Sequence, residues 1–325
     1  MSADTVRDRP VALVTGAAGF AGRHLIAELE AETDWNIVGV ARQAGAEQSP
    51  RTRMLAADLR EGGLVDRVVD RWRPDYVFHL AAQTYVPKST ATPVDTLSNN
   101  IIGQVNLLEA LRAYRQPTIL IVGSAEQYGF ATPEEMPLRE DQPFRPGNPY
   151  AVSKITQDML GYQYARSYGM RIVRVRPFNH FGPGQSDRFV LATFARQVAE
   201  AERGLIEPTV LTGDLSSRRD FLDVRDVVRG YRLAVERGTP GEVYNIASGH
   251  GYRVGELLDQ LMGMASVPLT VTTDPARLRP SDIPVLIGDA TRFRAATGWA
   301  PRIPIEHSLA DTFEDWRRRV AADQG

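Results

Sequence analysis

The chain has 325 residues, 43% of them hydrophobic and 24% charged, values that fit a soluble globular protein and exclude a disordered or fibrous one. Its 38 basic and 40 acidic side chains give a net charge of -2, so no global field is available to hold a nucleic acid or an anionic membrane. The absence of cysteine rules out disulfides, thiolate nucleophiles and Cys-ligated metals.

The segment from Met1 to Pro10 is charged and lacks the apolar stretch of a signal peptide. No run of about 18 apolar residues follows it, which makes a cytoplasmic protein the expectation. Short apolar, β-branched runs then alternate with longer amphipathic stretches. The predicted strands are Val11–Thr15, Asn36–Ala41, Met54–Ala57, Tyr76–His79, Ile119–Gly123 and Arg171–Val175. The predicted helices between them are Gly19–Glu32, Gly63–Trp72, Thr96–Tyr114 and Tyr150–Tyr168. This alternation predicts an α/β fold, a Rossmann-like doubly wound parallel sheet.

After Pro177 the chain becomes richer in Pro, Gly and Arg, which predicts a smaller C-terminal lobe for substrate binding. A helix over Val224–Glu236 and a strand over Val243–Ala247 read as further layers of the first lobe. The expected division is therefore 1–178 with about 224–250 for the cofactor lobe, and about 179–223 with 251–325 for the substrate lobe.

The run Thr15-Gly16-Ala17-Ala18-Gly19-Phe20-Ala21-Gly22 follows the first strand directly and opens the first helix. Gly16 suits the tight turn, Gly19 lets backbone approach a pyrophosphate, and Gly22 allows close packing of helix on strand. The positive end of that helix then attracts phosphate. The second strand ends Val40-Ala41-Arg42, without the acidic residue an NAD site usually carries there. Arg42 could pair with a 2′-phosphate, which favours NADP(H), with NAD possible; the alternative is a solvent-facing side chain. Asp58, just past the third strand, could accept from an adenine amino group or cap a helix.

Tyr150-Ala151-Val152-Ser153-Lys154 places a phenol and an ammonium one helical turn apart on one face. Lys154, together with an oxidised nicotinamide, is expected to lower the Tyr150 pKa toward working pH, making the phenol a proton donor and acceptor at a carbonyl. Ser124 stands just past the fifth strand in Gly123-Ser124-Ala125-Glu126-Gln127-Tyr128-Gly129, at the sheet edge where such folds bind ligands, and its hydroxyl could hold the developing oxyanion. No G-x-S-x-G elbow surrounds it, so a serine hydrolase is disfavoured. The five histidines, His24, His79, His180, His250 and His307, show no H-E-x-x-H pairing, and no metal site is expected.

Taken as an ordered set, the glycine turn, Asp58, His79-Leu80-Ala81-Ala82, Asn100, Ser124, the Tyr150/Lys154 pair and Arg176-Pro177-Phe178-Asn179-His180-Phe181-Gly182-Pro183 resemble the extended short-chain dehydrogenase/reductases. The resemblance implies cofactor contacts from Gly16, Gly19, Phe20, Gly22, Arg42, Asp58, Leu59, Leu80, Ala81, Ala82, Asn100, Tyr150, Lys154 and Pro177. It also implies homodimerisation through the helices of Thr96–Tyr114 and Tyr150–Tyr168. Arg219-Asp220-Phe221-Leu222-Asp223, Val243–Gly249 and Leu278–Pro284 resemble the GDP-sugar branch, especially its reductases that convert GDP-4-keto-6-deoxy-D-mannose to GDP-D-rhamnose.

On that reading the catalytic set is Ser124, Tyr150, Lys154 and Glu126. The sugar nucleotide contacts Ser124, Glu126, Asn179, Arg219, Arg279 and Asp282, with the two arginines suited to a diphosphate. Glu126 matches the position of a base that dehydratases use at C5, which keeps a GDP-mannose 4,6-dehydratase open. Ala125 stands where those enzymes carry a polar residue and argues for simple reduction. A C4 epimerase and a non-catalytic nucleotide sensor are the remaining alternatives.

Overall fold

Val11–Thr15 is a run of five residues, all buried, and in the computed structural model it forms the first strand, β1. A strand covered on both faces reads as a nearly continuous apolar run, as this one does up to Thr15, whose buried hydroxyl is hydrogen-bonded. The structure describes residues 9–43, 49–114, 117–278 and 283–323. After β1 come α1 (Phe20–Glu32), β2 (Asn36–Ala41), β3 (Thr52–Ala56), α2 (Gly62–Trp72), β4 (Tyr76–His79), α3 (Val86–Ala91), α4 (Pro93–Arg112), β5 (Thr118–Val122), α5 (Pro149–Tyr168) and β6 (Ile172–Pro177). The remainder runs β7 (Asn179–Phe181), α6 (Val190–Glu202), β8 (Thr209–Thr212), β9 (Arg218–Asp223), α7 (Val224–Arg237), β10 (Val243–Ile246), β11 (Gly251–Arg253), α8 (Val254–Gly263), β12 (Thr270–Thr273), β13 (Val285–Leu286), α9 (Thr291–Thr297) and α10 (Ile305–Ala322).

Every predicted strand and helix occurs, with ends displaced by at most three residues. The largest displacement is at α4, which starts at Pro93 because proline fits the first turn of a helix, where its missing N–H costs nothing. The six-residue α3 was not anticipated; it too has proline in its first turn and is too short to show a helical period.

Seven strands form the main sheet in the order β3-β2-β1-β4-β5-β6-β10. The pairs from β3 through to β6 are all parallel, with Thr15 in register with Val40 of β2 and with His79 of β4. The chain winds outward from β1 first to one side and then to the other, so the carboxyl ends of β1 and β4 flank the switch point where folds of this kind bind ligands. This is the Rossmann-like α/β arrangement expected from the sequence. Val11, Leu13, Val38, Val40, Val77 and Ile119 pack with Leu107, Leu111 and Tyr164 in a core over this sheet.

The described residues divide into two compact units. One is drawn from Met1–Gln127, Asn148–Arg176 and Val228–Tyr244, and the other from Tyr128–Gly147, Pro177–Val227 and Asn245–Gly325. Tyr128–Gly147, read from sequence as part of the first lobe, thus falls in the second unit. Long-range hydrogen bonds hold it there: Tyr128 Oη donates to Asn245 Oδ1 at 2.7 Å, Asn245 Nδ2 to Leu138 O at 2.9 Å, and Leu138 N to Ile287 O at 2.8 Å. The second unit is built on a small sheet in which β9 pairs with β7, β11 and β13, with β8 and β12 forming a separate parallel pair. Phe181, Phe194, Phe221, Leu257, Phe313 and Trp316 fill its own core. No described helix is long and apolar enough to cross a membrane.

Candidate active site

Gly16 leaves β1 at φ +73°, in the left-handed region that favours glycine, and a Cβ there would sit 2.8 Å from the Ala81 nitrogen. At Gly22 a Cβ would sit 2.2 Å from Gly16 O, so both glycines are required by close approach. Gly16 N and Ala17 N donate to Val40 O at 2.8 and 3.2 Å, folding the turn back onto β2. Gly19 is the N-cap of α1, with no side-chain cap and no acidic residue in the first turn. The positive end of α1 is therefore not neutralised locally, which suits a pyrophosphate. Phe20 opens the helix with its ring edge-on to His24, 5.4 Å between centroids.

The loop after β4 is drawn against this turn. Leu80 N donates to Thr15 O at 3.2 Å and Ala81 N to Thr15 Oγ1 at 3.3 Å, while Thr15 Oγ1 and His79 Nδ1 are 2.8 Å apart. Burial, reinforced by the nearby Lys154 charge, pushes His79 down to about 3, so the ring is a neutral part of the scaffold. Asn100 is fully buried; its Oδ1 accepts from Gln83 N at 2.7 Å and its Nδ2 donates to Gln83 O and Ser153 Oγ at 3.1 and 2.9 Å. It thus ties the segment that follows Ala82 to α5.

Arg42 is exposed just beyond β2. Asp58 accepts from Arg60 Nε at 3.0 Å, from Arg60 Nη2 at 2.5 Å and from Arg60 N at 3.0 Å. It does not cap α2, whose N-cap is Glu61. Arg60 chiefly, with a smaller contribution from the Arg42 charge, holds Asp58 below the usual carboxylate range, which puts Arg42 within electrostatic reach of the turn after β3. Leu59 packs against α4, where a Cβ at Gly103 would lie 3.1 Å from the Leu59 Cβ.

Ser124, Glu126, Tyr150 and Lys154 come together within the first unit. A turn of 3-10 helix over Ala125–Gln127 follows Ser124, and Ser124 Oγ accepts from Glu126 N at 3.2 Å. The start of α5 is set by Asn148, whose Oδ1 accepts from Ala151 N at 2.8 Å, and by Pro149 in the first turn. The same Asn148 donates through Nδ2 to Glu126 Oε2 at 3.1 Å, so the cap that starts the helix also holds the carboxylate beside Ser124. Tyr150 is buried beside Ser124; one turn later Lys154 Nζ donates to Val122 O at 2.7 Å.

Burial is the dominant effect on the Tyr150 phenol and pushes it well above its usual range; the neighbouring Ser124 hydroxyl offsets part of this and the Glu126 charge adds to it. The lowering expected from Lys154 together with an oxidised nicotinamide concerns the loaded site; within the protein's own interior, burial keeps the proton on the phenol at neutral pH. Burial likewise pushes Lys154 down from 10.5 to about 7. Between those values the unfolded chain binds more protons at this site than the folded one, so its contribution to stability rises with pH. Denaturation midpoints of the ligand-free protein, measured from pH 7 to 9, should therefore rise relative to those of Lys154→Met. Parallel profiles would show that Lys154 stays fully charged in the fold.

Sequence reading missed Thr15, Gln127, Asn148, Asp158, Arg174 and Arg176. Asn148-Pro149 is a legible cap signal. Arg174 and Arg176 interrupt a buried strand, and such charges demand a partner. That partner is Asp158, one turn beyond Lys154 on α5: Arg174 Nη1 and Arg176 Nε reach its two oxygens at 2.6 and 2.7 Å.

In the second unit, Asn179 opens β7 and pairs in register with Phe221, and Arg219 lies on β9 with Nη1 donating to Arg218 O at 3.0 Å. Pro177 ends β6. Asp220, fully buried, accepts from Ser248 N, Ser248 Oγ and Gly249 N at 2.9, 2.6 and 2.9 Å and so secures the loop after β10. Arg279 and Asp282 lie outside the described residues.

A doubly wound sheet, a glycine turn at its switch point, and a half-buried Ser124 beside the buried Tyr150 and Lys154 define an NAD(P)-dependent oxidoreductase of the Rossmann type. The chain belongs to the extended short-chain dehydrogenase/reductases, within the family described as GDP-mannose 4,6 dehydratase, which residues 13–312 match. Over 311 residues it is 40% identical to the GDP-6-deoxy-D-mannose reductase of Pseudomonas aeruginosa, covering 94% of this chain and 97% of that protein. To the GDP-mannose 4,6-dehydratase of Sinorhizobium fredii it is 29% identical over 328 residues, covering 90% and 92%. The solved structure of RMD from Pseudomonas aeruginosa complexed with NADPH is similar with a TM-score of 0.85 at 38% identity, covering 95% of this chain and 99% of that one.

Proposed function

We propose that the protein uses NADPH to reduce the C4 keto group of GDP-4-keto-6-deoxy-D-mannose to the alcohol of GDP-D-rhamnose. The observation that carries this reading is the buried, protonated Tyr150 hydroxyl lying beside Ser124, a proton donor next to a hydroxyl that can orient a carbonyl oxygen. The 40% identity to a GDP-6-deoxy-D-mannose reductase supports the choice of substrate.

Gly16, Gly19 and Gly22 and the uncapped start of α1 fit the pyrophosphate of a dinucleotide, and the exposed Arg42 favours a 2′-phosphate and hence NADPH. Bound NADPH supplies the hydride that becomes the hydrogen on C4. Tyr150 gives its proton to the carbonyl oxygen, so one C=O bond becomes H–C–O–H. Ser124 donates to that oxygen as negative charge builds on it. Lys154, anchored on Val122 O, stabilises the phenolate that remains and binds the nicotinamide ribose. Arg219 and Arg279 hold the diphosphate, with Asn179 and Asp282 on the sugar nucleotide.

A dehydratase reading draws on Glu126, set next to Ser124 and held by Asn148. Against it, the neighbour of Glu126 is the buried methyl of Ala125, which cannot deliver a proton to a leaving hydroxyl. The enzyme acts as a homodimer through α4 and α5, a reading supported by Val94, Ile102, Val152, Met159 and Tyr162, large apolar side chains that those helices leave exposed.

Purified protein, first sized by native mass spectrometry, is mixed with NADPH and GDP-4-keto-6-deoxy-D-mannose, and separately with NADP and GDP-mannose. A dimer that oxidises NADPH in the first mixture only is expected. A keto-sugar product from GDP-mannose would overturn the reductase in favour of the dehydratase, and a monomer would overturn the assembly.

A further inference from the structure

The Ala125–Gln127 turn folds the Gln127 side chain back beneath Ser124. Gln127 Oε1 accepts from Ser124 N at 2.8 Å, while the Gln127 main-chain N donates to Ser124 O at 3.2 Å. Ser124 is thus gripped at both ends of its own backbone by one residue. Gln127 is fully buried, and its Nε2 donates to Asp158 Oδ2 at 3.2 Å. This contact orients the amide, because a carboxylate accepts only and so selects the NH₂ edge of the amide, turning the oxygen toward Ser124. Asp158 in turn is held by Arg174 and Arg176, all three side chains being at least nine-tenths buried. Gly123 makes room for the arrangement: a Cβ there would lie 2.4 Å from Gln127 Oε1.

We propose that Gln127 is a positioning residue for the reduction, setting the place of the Ser124 hydroxyl through the Ser124 backbone while the Asp158–Arg174–Arg176 cluster holds its amide in one orientation. Gln127 touches neither the carbonyl nor the nicotinamide; it acts through Ser124. The inference rests on the reductase reading, in which the Ser124 hydroxyl meets the C4 oxygen. A displacement of the order of 1 Å in a group that positions reacting atoms costs up to about 10²-fold in rate, so the effect belongs in kcat.

The test is a double-mutant cycle on the full-length enzyme, following NADPH oxidation with the keto sugar in wild type, Gln127→Met, Ser124→Ala and the double variant. Gln127→Met keeps the length of the side chain and removes its acceptor. It is expected to lower kcat about 10- to 100-fold with little change in KM for either substrate, and to have no further effect once Ser124 is alanine. Gln127→Glu restores an acceptor for Ser124 N, and buried against the Asp158 carboxylate it holds a proton, which its hydroxyl donates to Asp158 where the amide did. It should recover most of the wild-type kcat, and it keeps the test decisive if the methionine variant fails to fold.

An equal loss from Gln127→Met with and without Ser124, or a glutamate variant as slow as the methionine one, would show that Gln127 only supports the fold and would overturn the proposal. Wild-type turnover with Ser124→Ala unimpaired would overturn it by removing Ser124 from the reaction. No turnover by the wild type would overturn the reductase reading itself, an outcome distinct from both.

Discussion

Tyr150→Phe is expected to lower kcat for keto-sugar reduction by about 10²–10⁴-fold, the usual worth of a positioned general acid, while NADPH affinity changes little. The change removes one oxygen from a buried ring and no packing, so the helix and the Lys154 contact with Val122 O remain. The side chain is buried and keeps its proton because burial raises it, with the neighbouring Ser124 hydroxyl as a partial offset. Single-turnover kinetics with saturating NADPH, together with a fluorescence titration of the cofactor, would check both halves of the expectation. A phenylalanine variant that retains most of its activity would assign the proton donor elsewhere.

The largest effect on stability is expected at Asp158. This carboxylate lies between Arg174 and Arg176, each side chain no more than 6% exposed, and accepts a third hydrogen bond from Gln127. Assembling such a cluster is not necessarily favourable, since desolvation offsets attraction, but removing one member leaves unpaired charge in the interior. Asp158→Asn keeps the shape and removes the charge, and should cost about 3–5 kcal/mol in urea denaturation. A loss below about 1 kcal/mol, the scale of an exposed ion pair, would show that the two guanidinium groups find other acceptors. Because Gln127 depends on Asp158 for its orientation, any Asp158→Asn protein that folds should also turn over more slowly.

Much of the site was legible along the chain because its signals are local. Gly16, Gly19 and Gly22 could be assigned to a phosphate-binding turn from their place between an apolar strand and an amphipathic helix. Tyr150 and Lys154 share a helix face because four residues make about one turn, and Ser124 stands just past a strand whose apolar run is unmistakable. Local order of this kind depends on neighbours within a few positions, which a single chain displays in full.

Other features depend on partners distant in sequence. Arg174 and Arg176 were visible as charges in an apolar strand, yet their counter-ion lies on α5 and comes into contact only when β6 packs beside β5. Asp58 read as a ligand or a helix cap, and folding turned it onto Arg60. Burial, which no spacing along the chain reveals, is what holds the proton on Tyr150.

From the residues alone, then, came the doubly wound sheet, the glycine turn and the identity of Ser124, Tyr150 and Lys154. These rest on strand and helix periods and on turn chemistry, which are properties of short segments. The grip of Gln127 on Ser124, the anchoring of Glu126 by Asn148 and the proton held on Tyr150 came only from packing. Desolvation and long-range hydrogen bonds arise when segments far apart in the chain are brought into one dry interior.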